Sequence, residues 1–147
     1  GMAGTKAAIE HIAWIGRESS GNPELSRRDA LIEAYDAIEH YERGLFLRML
    51  EGLGRIEGVK IWGITEPNRI SERAPTVSFT HPSMSAKEMG RRLAERGVFV
   101  WAGNFYALEL TEALGLEPEG VLRAGLLHYN SLEEVDFFVE SVAEILG

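Results

Sequence analysis

The sequence predicts an α+β fold: a small sheet with helices packed on one face, preceded by a helical arm. Three observations predict it. Before Gly58 the apolar residues recur at helical spacing; from Val59 onward short β-rich runs alternate with helices that open on capping residues; and the apolar run Val121–His128 leads directly into a helix that closes the chain. The expected division is a helical arm over residues 1–55 and a small α+β domain over 56–147.

The elements follow in order. Ala8, Ile9, Ile12 and Ile15 are spaced for a short first helix ending near Gly16. Ser19 to Pro23 is a turn, in which Asn22 supplies an N-cap and Pro23 a first-position proline for the next helix. Leu31, Ala34, Tyr35, Ile38, Tyr41, Leu45, Met49 and Leu53 hold a period near 3.6, so that helix is read to about Leu53. It runs through Gly44, at a cost of roughly 1 kcal/mol relative to alanine.

Val59 to Ile64 and Ala74 to Thr80 read as strands, the second alternating Val77 and Phe79 with hydroxyl residues. A polar loop, Glu66 to Glu72, joins them. Ser85 and Glu88 have the spacing of a capping box for a helix stopped at Gly97. Val98 to Ala102 is a short strand, Asn104 to Leu114 a loop running into a helix, and Leu116 to Gly120 a turn around Pro118. The strand Val121–His128 follows. Ser131 and Glu134 form a second capping box, and the closing helix buries Val135, Phe138, Val139, Val142 and Ile145.

Composition excludes several classes. A net charge of −8 and a pI near 5.0, with scattered basic residues, argue against a nucleic-acid binder. There is no cysteine, hence no disulfide, thiolate metal site or cysteine nucleophile. His11, His40, His81 and His128 show no ligand spacing, so no metal is expected. No apolar run approaches bilayer length and the start of the chain lacks a secretion-signal pattern, which predicts a cytoplasmic protein without a membrane partner. Trp14, Trp62 and Trp101 are read as packing anchors, and His128 as a structural histidine facing away from Arg123.

Arg123 is the outlier, one permanent charge inside an apolar run. A guanidinium is planar and suited to two-point contact with a carboxylate. The residues leave two settings open for it: an anion, or a glutamate of the fold. Asn104 and Tyr106, on the loop after Gly103, either line a pocket or, with Phe105, cover the core while Asn104 takes the turn.

Arg73 to Phe79 (RAPTVSF), Gly97 to Gly103 (GVFVWAG) and Val121 to Asp136 (VLRAGLLHYNSLEEVD) resemble, in that order, the small C-terminal domain of class V aminotransferases and cysteine desulfurases, which are pyridoxal-phosphate enzymes of fold type I. The likeness covers about residues 56–146. It implies that Arg123 binds the α-carboxylate of a small amino-acid substrate, that Asn104 and Tyr106 sit on the active-site loop, and that the front arm joins a large domain. Gly4 and Thr5 resemble a Gly-Thr pair that contacts the cofactor phosphate of a neighbouring protomer; a plain N-cap is the alternative. The partners implied are a second copy of the chain or a large domain.

Two departures limit the resemblance. The Schiff-base lysine of the family lies upstream of the Gly-Thr pair, and Lys6, Lys60 and Lys87 stand in no matching context, so no catalytic residue and no covalently bound cofactor is expected here. Tyr106 stands near the position where one branch of desulfurases has its sulfur-accepting cysteine, and a phenol forms no persulfide. The resulting expectation is the small-domain portion of a desulfurase-like enzyme, inactive in isolation. Its alternatives are a standalone dimerisation or protein-interaction module, a degenerate gene product, or a carboxylate-binding domain without covalent chemistry.

Overall fold

Ala13, Ala30 and Ala34 are fully buried, and a Cβ on Gly16 would lie 1.8 Å from the Ala30 carbonyl oxygen. Small residues on both sides therefore let two helix backbones meet. The computed structural model describes residues 1–147 and divides into two compact units, Gly1–Glu42 and Arg43–Gly147. In the first unit α1 spans Met2–Ser20, beyond the expected stop, because Gly16 is a contact residue inside the helix and the left-handed cap is Gly21, at φ 67°. Asn22 does not cap the next helix. Its Oδ1 accepts from the Glu24 N–H at 3.1 Å in a local turn, and Ser26 Oγ accepts from the Asp29 N–H at 3.2 Å at the start of α2 (Arg27–Gly54).

The second unit begins within α2. Leu45, Phe46, Met49, Leu50 and Leu53 join Val77 and Phe79, Met89 and Leu93, Leu122, and Val135, Phe138 and Val142 in one core. Gly52 allows the last helix to approach, since a Cβ there would stand 2.6 Å from Val139 Cγ1. Gly44 is exposed with nothing nearby, consistent with a tolerated helix glycine.

Four antiparallel strands, β1 (Lys60–Trp62), β2 (Thr76–Thr80), β3 (Trp101–Gly103) and β4 (Val121–Gly125), form a sheet in the order β1-β2-β4-β3. Val77, Phe79, Leu122 and Ala124 point to the core on the helix side. Helices α3 (Ala86–Glu95), α4 (Leu108–Ala113) and α5 (Leu132–Leu146) complete the unit, and Pro67–Glu72 is a 3-10 turn where a loop was expected.

The strands are shorter than the β-rich runs, for local reasons. Val98 donates its N–H to Leu93 O at 3.0 Å, closing α3, so β3 starts only at Trp101. Leu127 N–H is taken by Asn130 Oδ1 at 2.9 Å, part of the entry to α5, so β4 ends at Gly125 and strand alternation does not extend to His128. Only half of the first expected capping box exists: Ser85 Oγ accepts from Glu88 N–H, while the Glu88 carboxylate bonds Arg91 and Arg92. The Ser131–Glu134 box is complete. No helix is long and apolar enough to cross a membrane.

Candidate functional site: an arginine framed by aromatic rings

The strand register puts Trp62, Ser78, Arg123 and Trp101 side by side in one row across the sheet. Directly opposed residues in a sheet share a face, and here it is the one turned away from the helices. Arg123 is exposed, its neighbours Leu122 and Ala124 being the buried ones. Its guanidinium lies over the Phe105 ring, 3.8 Å from the centroid. No carboxylate of the chain pairs with it, so the glutamate setting left open by the sequence is not adopted. The ring contact positions the guanidinium, and its N–H donors, which make no hydrogen bond or ion pair within the chain, are open to an anion.

The loop that holds Phe105 is built by Asn104 and Glu117. Asn104 Oδ1 accepts from the Tyr106 N–H at 3.2 Å, and its Nδ2 donates to Glu117 Oε1 at 3.2 Å. The same carboxylate oxygen accepts from the hydroxyl of buried Thr111. Phe105 and Tyr106 adopt φ values of 56° and 63°, in the left-handed region that non-glycine residues seldom occupy. Where the loop's ends meet, a Cβ on Gly120 would stand 2.3 Å from the Gly103 carbonyl carbon, so only glycine fits there.

Of the residues singled out in sequence, Arg123, Asn104 and Tyr106 lie together in the second unit. They differ in what they offer a ligand. Arg123 presents free donors, Asn104 has both ends of its amide engaged in the loop, and Tyr106 is fully exposed at the loop tip. Gly4 and Thr5 belong to the first unit, in the opening turn of α1, whose N-cap is Gly1 and not either of them. Thr5 Oγ1 donates to Gly1 O at 3.3 Å, and Thr5 and Lys6 line a shallow surface pocket with Arg27, which sits 3.6 Å from Glu10.

Three neighbours of this cluster are not specified by the sequence pattern. Phe105, which the sequence offers as a core cover, lies against Arg123; Trp101, expected as a packing anchor, is 70% exposed; and Glu117, in the turn around Pro118, holds Asn104. The only local signal was the Gly103-Asn104 dipeptide, which marks a turn but not which ring it aims at Arg123. Arg73 is a separate case: half-buried, it donates to the carbonyls of Ile64 and Thr76 and covers the Phe46 ring, and burial lowers its pKa.

Against known proteins, a sequence profile described as Aminotransferase class-V matches residues 30–138. The chain belongs to the class V aminotransferase family. An aminotransferase-like protein of Gibberella zeae is 34% identical over 97% of this chain and 33% of its own length. A probable cysteine desulfurase of Pyrococcus abyssi is 33% identical over 99% of the chain and 30% of its own length. Among solved structures, the apo cysteine desulfurase of Thermococcus onnurineus superposes with a TM-score of 0.71 at 30% identity, covering 82% of this chain and 28% of that one. This class V chain therefore spans about a third of the length of the curated relatives it matches.

The family is generally pyridoxal-phosphate-dependent, and the side chains present do not fit covalent attachment of that cofactor. Lys60 Nζ rests 3.7 Å from the Trp62 ring centroid, while Lys6 and Lys87 are exposed on helices. None is enclosed in a pocket of the sheet unit that could hold a cofactor ring. What the second unit of this class V chain does hold is an oriented, unpaired guanidinium.

Proposed function

We propose that the chain is the small-domain portion of a cysteine desulfurase-like, pyridoxal-phosphate-dependent enzyme, and that Arg123 binds the α-carboxylate of its amino-acid substrate. The observation that carries this is the Arg123 guanidinium, stacked on Phe105 with its hydrogen-bonding edge unused. The cofactor, when bound in the complete enzyme, would supply an electron sink. This chain supplies binding and orientation: a charge-assisted pair on the order of 1.5–3 kcal/mol when well formed. Asn104 supports the site by shaping the loop, Tyr106 meets the substrate from the loop tip, and Gly4 and Thr5 reach the cofactor phosphate of a partner protomer in a homodimer. The setting proposed is cytoplasmic. With no cysteine on the loop, sulfur transfer through a loop persulfide is not part of the proposal.

The test is to mix the chain with pyridoxal phosphate, reduce with borohydride and map lysine adducts. Scattered, amino-acid-insensitive labelling of Lys6, Lys60 and Lys87 is expected. One stoichiometric adduct, preceded before reduction by an absorbance that responds to amino acids, would show a self-sufficient site and contradict inactivity in isolation. The exposed Trp101 on the uncovered sheet face favours one second reading, a protein-interaction surface, for which sedimentation of wild type against Trp101→Ala is diagnostic: a self-association lost in the variant would support it.

A further inference from the structure

Trp101 stands directly across from Arg123 in the β3–β4 ladder, on the same face and 70% exposed. Opposed side chains in a sheet have Cβ atoms about 5 Å apart. On its loop side the guanidinium lies over the Phe105 ring, so Arg123 has one ring from the loop against it and Trp101 as its partner across the ladder. The remaining neighbour in the row is Ser78, followed by Trp62, and the row holds no acidic side chain. Lys60, whose ammonium rests on Trp62, adds positive charge at the far end. Phe105 reaches its position at a disfavoured φ, and Asn104 and Glu117 hold it there before any ligand arrives. Preorganisation of this kind lowers the ordering cost of binding.

An anion at the free edge of Arg123 would carry its side chain over this row. A neutral polar side chain would find one hydroxyl there and otherwise lose hydration against indole surface, and a cationic one would meet Arg123 and Lys60. A flat ring would stack on the exposed face of Trp101, and aromatic pairs contribute beyond area burial.

We propose that Trp101 and Phe105 make the Arg123 site selective for carboxylates bearing an aromatic side chain, and hence that the amino-acid substrate is an aromatic one. This rests on the reading of Arg123 as the carboxylate contact. The two can fail separately. Using the full chain labelled with ¹⁵N, the Arg123 Nε–H and Trp101 indole N–H resonances are followed during titration with 3-phenylpropionate, propionate, 4-methylpentanoate and 3-phenylpropanol.

The expected result is that 3-phenylpropionate shifts both resonances and binds roughly tenfold tighter than propionate and severalfold tighter than 4-methylpentanoate. The alcohol leaves Arg123 unmoved. Trp101→Ala, an exposed position whose loss leaves the amide spectrum dispersed, brings 3-phenylpropionate down to the affinity of propionate, and Phe105→Leu lowers both. Equal, Arg123-dependent binding of all three carboxylates would overturn the aromatic selectivity while leaving the carboxylate contact standing. Carboxylate titrations that are identical in wild type and Arg123→Gln would overturn both.

Discussion

Asn104 donates its side-chain amide to Glu117 at 3.2 Å, which ties the loop leaving β3 to the segment entering β4. Together with the Tyr106 N–H to Asn104 Oδ1 bond, it braces the left-handed turn at Phe105 and Tyr106 that sets Phe105 against Arg123. Glu117→Ala removes the acceptor for both Asn104 and the buried Thr111 hydroxyl, at a cost of about 1–3 kcal/mol. Amide exchange over residues 104–107 should accelerate and the Arg123–Phe105 contact should be lost from NOE spectra, with Glu117→Gln, which keeps an acceptor, falling between. An unchanged loop in Glu117→Ala would mean the turn is held by other contacts.

Arg73 is a structural arginine by the same kind of reasoning. Its guanidinium satisfies the Ile64 and Thr76 carbonyls and covers Phe46. Arg73→Met keeps the stem's volume and removes the donors, so chemical denaturation should register a loss of about 1–3 kcal/mol. A change within the ±0.5 kcal/mol typical of surface positions would contradict the assignment.

In the first unit, Gly16→Ala puts a methyl group into the Ala30 backbone, where the present approach leaves 1.8 Å. Overpacking of this type costs typically 1–3 kcal/mol. Limited proteolysis between residues 17 and 29 should quicken sharply. Gly44→Ala, which has open space around it, should be neutral or stabilising by up to about 1 kcal/mol. Equal behaviour of the two variants would refute the close helix contact.

Glu88 gives a pH prediction with a definite sign. Hydrogen bonds from Arg91 and Arg92 lower its pKa to about 2 from 4.5. A carboxylate depressed in the folded state adds stability that is present above the unfolded value and lost as pH falls from about 4.5 to about 2. The group is exposed, so the effect shrinks in salt. Carbon-detected titration of the Glu88 carboxyl should place its midpoint well below those of unpaired glutamates; a midpoint near 4.5 would show that the pairs do not persist in solution.

Much of the fold was legible because its signals are local. The Ser131–Glu134 box, the alternation through Val77 and Phe79 and the long α2 period each depend on a few neighbouring residues. The structure departs from the sequence pattern where a contact outside the element decides the outcome. Gly16 looked like a stop and is a helix contact, because Ala30 and Ala34 leave room for it; Val98 looked like strand and gives its N–H to Leu93. Arg123 stood out as a charge in an apolar run, whereas Phe105 and Trp101 reach it through a strained turn and a ladder register that no short-range pattern specifies.

The central claim is that Arg123 holds a substrate carboxylate, and amino-acid affinity in the enzyme extended to the length of its relatives tests it most directly. Arg123→Lys keeps the charge and loses the two-point fork, so amino-acid binding, read from the cofactor spectrum, should weaken roughly tenfold or more, while the affinity of a matched amine lacking the carboxylate should stay unchanged. Equal amino-acid affinity in wild type and variant would contradict the account.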